Sequence, residues 1–332
     1  MSSGGVGPIL GGPPTVFVTR PLPEPGTSGL VEAGCQVVVQ PEDSPLSSEA
    51  LGAALADADA VICTLRDRID ASVLDGAPRL RIVANFAVGF DNIDVARARA
   101  RGVEVTTTPG VLTDATADLT WALILATSRR LGEGERLVRS GQWLGWAPNQ
   151  FLGQAIAGRR LGIVGMGSIG QAVARRARGF EMSIVYHNRR PLPAEAAKAL
   201  RAVWVPLDEL FATADVVSLH APLNSESHHL VDAAALARMK PTAVLVNTAR
   251  GPLVDEAALV AALDRGQLAA AGLDVFEAEP VVHPGLLGRD DVVLAPHLGS
   301  ATTAARAAMV ALCIDNVLQV LAGGPAITPA PT

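Results

Sequence analysis

The sequence predicts an α/β protein with two doubly wound parallel sheets, and three observations lead to this fold class. Short β-branched runs alternate with helical patterns along the chain, and strands that alternate with helices form parallel sheets. The 332 residues are enough for two domains with separate cores. Because 49% of the residues are hydrophobic and 18% are charged, we expect a globular rather than a disordered chain.

The first domain is predicted from short apolar runs that follow a loose start. Residues 1–14 are rich in Gly, Ser and Pro, so we expect a flexible N-terminus. The predicted strands are 15–19, 36–40, 60–64, 81–85 and 103–107, with helices near 27–34, 47–57, 70–76 and 93–101. The turn signal Thr108-Pro109-Gly110 ends this domain.

The second domain follows a long helical pattern over 113–131, of which the apolar stretch 119–126 is the buried body. A loop with Trp143 and Trp146 comes next. A strand opens at Leu161, and further strands are predicted near 183–188, 202–206, 216–221, 243–248, 269–275 and 292–296. A last helix, over about 301–322, closes the chain before a Pro-rich tail.

A glycine motif marks the start of the second domain. Residues 161–164 form a buried strand by pattern, Gly165-Met166-Gly167-Ser168-Ile169-Gly170 a turn, and the residues that follow an amphipathic helix. In this context Gly165 permits the tight turn, Gly167 lets the backbone approach a pyrophosphate, and Gly170 lets the helix pack on the strand. The motif therefore predicts a Rossmann-type dinucleotide site. A glycine turn without a ligand is the alternative, which the flanking strand and helix disfavour.

Charge and cysteine content exclude several other classes. A net charge of −6 offers no basic face for nucleic acid or anionic lipid. The sequence has no run of about 18 uninterrupted apolar residues, so we expect no membrane span. The N-terminal apolar patch is too short for a signal peptide.

The cysteines indicate free thiols. There are three of them, Cys35, Cys63 and Cys313, which is an odd number, and they lack C-x-x-C spacing. We therefore expect buried free thiols, no metal site and a cytoplasmic location.

Three side chains at the ends of later predicted strands have the chemistry of an active site. Arg250 follows a strand and precedes Gly251, where a planar, permanent charge suits bidentate binding of a small carboxylate. His297 follows the end of a predicted strand, where a histidine can exchange a proton with a carbonyl or alcohol oxygen near neutral pH. Glu279 can fix the tautomer of this histidine. A surface ion pair for Arg250 and a structural role for His297 are the alternatives. The coincidence of the three at successive strand ends favours catalysis.

The residues after the second strand of this domain bear on the choice of dinucleotide. A site for NAD has Asp or Glu about 20 residues past the glycines, whereas arginine accommodates a 2′-phosphate. Here Asn188 is followed by Arg189 and Arg190, with no acidic residue before Glu195. The sequence thus favours NADP(H), with NAD(H) still possible, against the alternative that both arginines are merely solvated.

Five motifs together resemble the D-isomer-specific 2-hydroxyacid dehydrogenases, and the similarity spans about Thr15 to Leu321. The motifs are Ala-Val-Gly-Phe-Asp-Asn-Ile-Asp (87–94), the glycine turn (165–170), Asn-Thr-Ala-Arg-Gly (247–251), Gly-Leu-Asp-Val-Phe (272–276) with Glu279-Pro280, and Pro-His-Leu-Gly-Ser (296–300). Within the family the chain looks most like glyoxylate/hydroxypyruvate reductases.

The resemblance implies an organisation and residue roles. It implies a substrate-binding domain of 15–109 and 298–332, an NAD(P)-binding domain of 110–297 and an active-site cleft between them. Arg250 would hold the substrate carboxylate, His297 would be the acid/base paired with Glu279, and Leu65, Val88 and Gly89 would contact the substrate. Asp274 would meet the nicotinamide carboxamide. We also expect cofactor contacts from Ser168, Ile169, Pro222, Thr248 and Gly299.

The implied reaction is hydride transfer from the reduced nicotinamide to the carbonyl carbon of a small 2-oxo acid, giving a 2-hydroxy acid. The family also implies a homodimer, in which the loop with Trp143 and Trp146 reaches toward the neighbouring subunit. A pair of core tryptophans is the alternative for this loop.

Other activities of the same fold stay open at this point. A phosphoglycerate- or lactate-type dehydrogenase would use NAD, against Arg189 and Arg190, and the first often has a C-terminal extension, which we do not expect after Leu321. Formate dehydrogenases of the family have glutamine in place of Glu279. A dinucleotide-sensing corepressor could use the same fold for binding alone, but no basic surface or partner-binding tail supports it.

Overall fold

The structure is a computed structural model that describes residues 12–331. Of the predicted flexible segment 1–14, residues 1–11 lie outside the described part. The chain divides into two compact units, one of residues up to Leu112 and from Thr302 onward, the other Thr113–Ala301. The first unit thus ends at 112 and resumes at 302, whereas the predicted borders were 109 and 298.

The first unit has a five-stranded sheet in which every strand pairing is parallel. The strands are β1 (Thr15–Val18), β2 (Gln36–Val39), β3 (Ala60–Cys63), β4 (Ile82–Asn85) and β5 (Glu104–Thr106). The helices are α1 (Ser28–Glu32), α2 (Ser48–Leu55), α3 (Ala71–Asp75), α4 (Val95–Ala100) and, from the chain end, α13 (Thr303–Leu321). The strand order β2-β1-β3-β4-β5 is the flavodoxin-like order.

The second unit has seven parallel strands in the order β12-β11-β10-β9-β6-β7-β8, a Rossmann order extended by one strand. The strands are β6 (Arg160–Val164), β7 (Ser183–His187), β8 (Ala202–Trp204), β9 (Val216–Leu219), β10 (Val244–Asn247), β11 (Ala270–Leu273) and β12 (Val292–Leu294). The helices are α5 (Thr113–Ser128), α6 (Leu131–Arg139), α7 (Ser168–Ala177), α8 (Ala194–Leu200), α9 (Leu207–Thr213), α10 (Ala233–Arg238), α11 (Glu256–Asp264) and α12 (Pro284–Leu287).

Burial on both faces of the second sheet explains its nearly continuous apolar strands. Trp121 of α5 and Val173 of α7 belong to one core cluster. Phe211 of α9, Leu236 of α10 and Leu259 of α11 belong to the other. Helices therefore cover both faces, and the predicted doubly wound fold is confirmed.

The predicted helix 113–131 is two helices. Helix α5 ends at Ser128, and Arg130 has a left-handed backbone with φ of 54° before α6 begins at Leu131. Helix α6 was not predicted, because Gly132 and Gly134 lower its intrinsic helix propensity.

Helix α13 is long and apolar enough to cross a membrane by length and composition alone. Its buried side chains, among them Met309, Cys313 and Val317, belong to the core of the first unit, where the helix packs on β3, β4 and β5. The three cysteines are buried free thiols, as predicted.

Candidate active site

The three predicted catalytic residues follow three strands that are neighbours in the second sheet. Arg250 comes after β10, Glu279 after β11 and His297 after β12, and the sheet order is β12-β11-β10. Because the strands are parallel, the loops after them leave the same edge of the sheet. The topology thus brings together residues that lie far apart in sequence.

Glu279 and His297 form a direct pair. The Nδ1 of His297 lies 3.0 Å from Oε2 of Glu279, and Oε1 of the same carboxylate accepts from the Phe276 backbone N–H at 3.0 Å. The carboxylate is held from two sides, so it fixes the histidine with Nε2 as the nitrogen that can exchange a proton with a ligand. The predicted pairing of these two residues is present in the structure.

The electrostatics of this pair keep the carboxylate charged. Burial alone would raise the pKa of Glu279, but the hydrogen bond and charge of His297 outweigh it, helped by the Phe276 N–H and the charge of Arg250. The pKa of Glu279 is therefore lowered below its ordinary value. Glu279 is thus an anionic partner for His297 at 3.0 Å.

Asp274 holds the backbone of the loop that carries His297. Its side chain is fully buried, and its two oxygens accept from the N–H groups of Leu298 at 2.6 Å and Gly299 at 2.8 Å. Its carbonyl accepts from the His297 N–H at 2.8 Å. Burial raises the pKa of Asp274 despite these N–H donors. Asp274 and Gly299 thus position His297, and their predicted contacts with the cofactor stay predictions.

His297 itself has a left-handed backbone with φ of +55°. This conformation is uncommon for a residue with a side chain, although histidine tolerates it better than most residues. The hydrogen bonds to Asp274 surround this one residue, so the loop holds a strained conformation of the kind that clusters at functional sites.

The turn that carries Arg250 is held by main-chain contacts. Asn247 donates from Nδ2 to the Arg250 carbonyl at 2.8 Å and accepts from the Ala249 N–H at 3.0 Å. A Cβ on Gly251 would stand 1.9 Å from the Phe276 carbonyl, so only glycine lets this turn lie against the loop of Glu279. The guanidinium of Arg250 donates from Nη1 to the Ala249 carbonyl at 2.8 Å.

A second histidine–glutamate contact, which was not predicted from the sequence, holds the loop of Glu279 at Glu277. The Nε2 of His229 lies 2.6 Å from Oε1 of Glu277, and the Glu277 N–H donates to Glu256 at 2.8 Å. The Glu256 N–H, at the start of α11, donates back to Glu277 at 3.3 Å. No local motif announces this contact, since 48 positions separate His229 from Glu277.

The glycine turn has the shape of a pyrophosphate cradle. Gly165 has φ of +95°, and a Cβ there would lie 2.5 Å from the backbone of His220 and Ala221, while a Cβ on Gly170 would lie 2.3 Å from the Gly165 carbonyl. Gly167 differs, because a Cβ there would meet nothing within 4 Å. Gly167 is also the N-cap of α7 and provides no side-chain cap. The helix N-terminus thus faces open space, and the residues fit a dinucleotide.

Beyond the turn, the other predicted cofactor residues differ in accessibility. Ser168 is exposed, Ile169 is partly buried and Pro222 is exposed. Thr248 is buried, and its hydroxyl lies 2.9 Å from that of Thr120 in α5. Thr248 therefore has a packing role in addition to its predicted one.

The predicted cofactor selectors lie at the end of β7. Oδ1 of Asn188 accepts from the Met166 N–H at 2.6 Å, which ties this residue to the glycine turn. The Arg189 side chain is 80% exposed and contacts Glu226, itself 71% exposed, at 3.4 Å. Arg190 is also exposed. Such exposed charges interact weakly with each other, so both cations are accessible to a ligand.

The predicted substrate residues of the first unit follow β3 and β4. Leu65 is partly buried, Val88 is 37% exposed, and the Gly89 carbonyl accepts from the Asn85 side chain at 2.7 Å. Within residues 12–331 the N–H groups of Val88 and Gly89 donate to no protein acceptor. These amides are therefore available for an anion. The predicted cleft between the domains stays a prediction.

Comparison with known proteins shows the family to which the chain is related. The model of the family described as D-isomer specific 2-hydroxyacid dehydrogenase, NAD binding domain, matches residues 121–299. A glyoxylate reductase of Thermococcus onnurineus is 51% identical over 309 residues, which are 92% of each chain. The chain belongs to the D-isomer-specific 2-hydroxyacid dehydrogenase family. As a member of this family it is an oxidoreductase with a nicotinamide dinucleotide cofactor.

Two solved structures match nearly the whole molecule. A Thermus thermophilus protein is 45% identical, with a TM-score of 0.89 over 96% of this chain and 100% of that one. An NADPH-dependent glyoxylate/hydroxypyruvate reductase of Sinorhizobium meliloti, solved with NADP and malonate, is 35% identical, with a TM-score of 0.84 over 95% and 96%. The curated relatives support reduction of glyoxylate-type substrates by this 2-hydroxyacid dehydrogenase.

Proposed function

We propose that this protein is an NADPH-preferring reductase that converts small 2-oxo acids, glyoxylate or hydroxypyruvate, to 2-hydroxy acids, with the D configuration where the product is chiral. The observation that carries this proposal is the His297–Glu279 pair at 3.0 Å, in the same sheet edge as the turn of Arg250. The names of the relatives, glyoxylate reductase and NADPH-dependent glyoxylate/hydroxypyruvate reductase, support the substrate class.

Each side chain has a defined task in this reaction. The reduced nicotinamide supplies the hydride that bonds to the carbonyl carbon. His297 gives its Nε2 proton to the oxygen on which negative charge develops, and Glu279 stabilises the imidazolium before that transfer. Arg250 holds the substrate carboxylate by its planar fork. The N–H groups of Val88 and Gly89 are proposed as further substrate contacts.

A spectrophotometric assay tests the proposal directly. Oxidation of NADPH and of NADH is followed with a panel of 2-oxo acids that includes glyoxylate, hydroxypyruvate, pyruvate and phosphohydroxypyruvate. We expect the highest kcat/KM with NADPH and glyoxylate or hydroxypyruvate. A higher kcat/KM with NADH and one of the bulkier acids would replace this proposal by the dehydrogenase alternative.

Cofactor preference is proposed to depend on Asn188, Arg189 and Arg190. We expect Asn188→Asp to lower kcat/KM for NADPH at least about tenfold, because a carboxylate repels the 2′-phosphate and accepts from the ribose 2′-hydroxyl of NADH. The fold is kept, since an aspartate oxygen can accept from Met166 as Oδ1 of Asn188 does. Arg189→Ser with Arg190→Ser is expected to raise KM for NADPH and leave KM for NADH within a factor of about two. Unchanged NADPH kinetics in both variants would contradict the assignment.

The cradle predicts a difference between two glycine-to-alanine variants. Gly167→Ala is expected to fold normally, because its Cβ meets no protein atom, yet to weaken NADPH binding about tenfold or more by occupying space next to the pyrophosphate. Gly170→Ala is the matched control and is expected to lower the melting temperature, because its Cβ would lie 2.3 Å from the Gly165 carbonyl. Calorimetric NADPH titration and thermal unfolding give both readouts. Equal NADPH affinity in Gly167→Ala and the parent would place the pyrophosphate elsewhere.

The lowered pKa of Glu279 predicts a pH effect. The carboxylate is ionised above its ordinary pKa and is protonated only as the pH falls through the lowered value, so it supports the catalytic acid over the neutral range. In Glu279→Gln we expect the basic limb of kcat/KM for reduction to move to lower pH by about one unit or more, since the acid loses its anionic partner. The profile is measured from about pH 5 to pH 9, and an unmoved basic limb would contradict the role of Glu279.

We also propose that the protein is a cytoplasmic homodimer. The alternative of core tryptophans is wrong, because Trp143 is 52% and Trp146 83% exposed. Leu144, Leu152 and the α6 residues Leu131 and Val138 are exposed as well. This number of exposed apolar side chains in α6 and the loop after it supports association with a second copy. Light scattering of the purified chain gives the oligomeric state.

A further inference from the structure

Arg306 is a partly buried cation in the first unit that the proposed reaction does not use. It lies in the first turn of α13, and its guanidinium stands 5.6 Å from the centre of the Phe86 ring. Within residues 12–331 no carboxylate forms an ion pair with it. Burial lowers the pKa of Arg306, because the charged guanidinium loses part of its hydration in this position.

The position of Arg306 is unfavourable for a cation on a second ground. Helix α13 has 19 residues, and its first turn contains no acidic side chain. The N-terminal end of a helix carries partial positive charge and favours anions, whereas cations are stabilised at the other end. Within the described residues the Phe86 ring, and no carboxylate, lies against this partly desolvated charge, so an anion bound beside it would be stabilised.

The ring below Arg306 belongs to the segment that carries the available amides. Phe86 is 6% exposed and directly follows β4, two and three residues before Val88 and Gly89. The Asn85 side chain bonds the Gly89 carbonyl, and the Thr108 N–H bonds the Ala87 carbonyl. This segment is therefore fixed, and Arg306 lies against its fixed part.

We propose that Arg306 is a substrate-binding charge, which attracts the carboxylate of the 2-oxo acid to the Val88 and Gly89 amides. The role rests on the proposed function. It deepens that function by adding a specificity-determining residue from the chain end, where no motif predicted one. The anion offsets the charge that burial and the helix end disfavour, so Arg306 selects for anionic over neutral carbonyl compounds.

Arg306→Met tests this role by removing the charge and keeping an apolar side chain over Phe86. We expect KM for glyoxylate to rise about tenfold, as for loss of one partly screened charge, while kcat changes less than about threefold. Binding of oxalate, a dicarboxylate that hydride cannot reduce, to the NADPH-loaded enzyme should weaken by a similar factor in calorimetry. Arg306→Lys should restore much of both. Rising KCl should raise KM for glyoxylate more steeply in the parent than in Arg306→Met.

Two further variants separate charge from packing. Arg79→Met removes one cation from the same unit, where Arg79 pairs with Asp59 at 3.0 Å and is 54% exposed, and its KM for glyoxylate should match the parent. Phe86→Leu keeps Arg306 and removes the ring. If KM rises in Phe86→Leu as much as in Arg306→Met, and Arg306→Lys does not restore the parent KM, then Arg306 has a packing role and the proposal is overturned. Unchanged oxalate affinity in Arg306→Met would also overturn it. If the parent reduces no 2-oxo acid, the proposed function itself fails.

Discussion

His297→Asn is expected to lower kcat for 2-oxo acid reduction by about 10² to 10⁴-fold, the usual worth of a positioned general acid. Asparagine is close in size and can still contact Glu279, but its amide is too weak an acid to protonate the substrate oxygen. The Asp274 contacts with the backbone N–H groups of His297, Leu298 and Gly299 do not involve the replaced ring. We therefore expect the variant to fold and to bind NADPH as the parent does.

The measurements for this variant are steady-state kinetics with glyoxylate, NADPH affinity by fluorescence and thermal unfolding. His228→Asn is the matched control, since His228 is exposed and has no part in the proposed reaction. Turnover of His297→Asn within about tenfold of the control would show that another group or solvent supplies the proton, and the catalytic assignment would be lost.

The fold was predictable because buried parallel strands have a strong sequence pattern. Strands 60–64 and 243–248 were predicted within one residue at each end of β3 and β10, since β-branched and apolar residues fill both faces. The helix α6 was missed where two glycines weaken the pattern. The break at Arg130 has no sequence signal either, because a left-handed backbone at arginine depends on tertiary contacts.

The candidate site was predictable as a set of residues but not as a geometry. Arg250, Glu279 and His297 were identified from motifs that follow strands. The loops after neighbouring parallel strands leave the same edge of the sheet, so these residues come together although they lie far apart in sequence. The double acceptor role of Asp274 required knowledge of the path of the loop after β12. Arg306 had no motif at all. Its significance is visible only in three dimensions, where a charge without an ion-pair partner in the described part of the chain lies against the segment after β4.

Arg250→Met is expected to lower kcat/KM for glyoxylate by about 10² to 10³-fold, since truncating a charged, hydrogen-bonded partner costs about 2–5 kcal/mol. Methionine has a similar reach but neither the charge nor the planar fork that binds a carboxylate by two parallel hydrogen bonds. Arg250→Lys keeps the charge and loses the fork, so an intermediate loss is expected.

The structure explains why this loss measures binding rather than misfolding. The Asn247 side chain bonds main-chain atoms of Arg250 and Ala249, and Gly251 packs against the Phe276 carbonyl, so the turn persists whatever side chain follows Ala249. NADPH affinity and melting temperature should therefore match the parent, while oxalate binding to the NADPH-loaded enzyme weakens with kcat/KM.

A variant with a smaller side chain at position 250 distinguishes specific binding by Arg250 from general charge screening. Arg250→Ala leaves room for a free guanidinium ion, and added guanidinium should restore part of the activity only if the charge itself binds substrate. Rescue by guanidinium but not by sodium at equal ionic strength would separate a specific fork from general screening. Kinetics of Arg250→Met within about tenfold of the parent would instead contradict the proposal that Arg250 holds the substrate carboxylate.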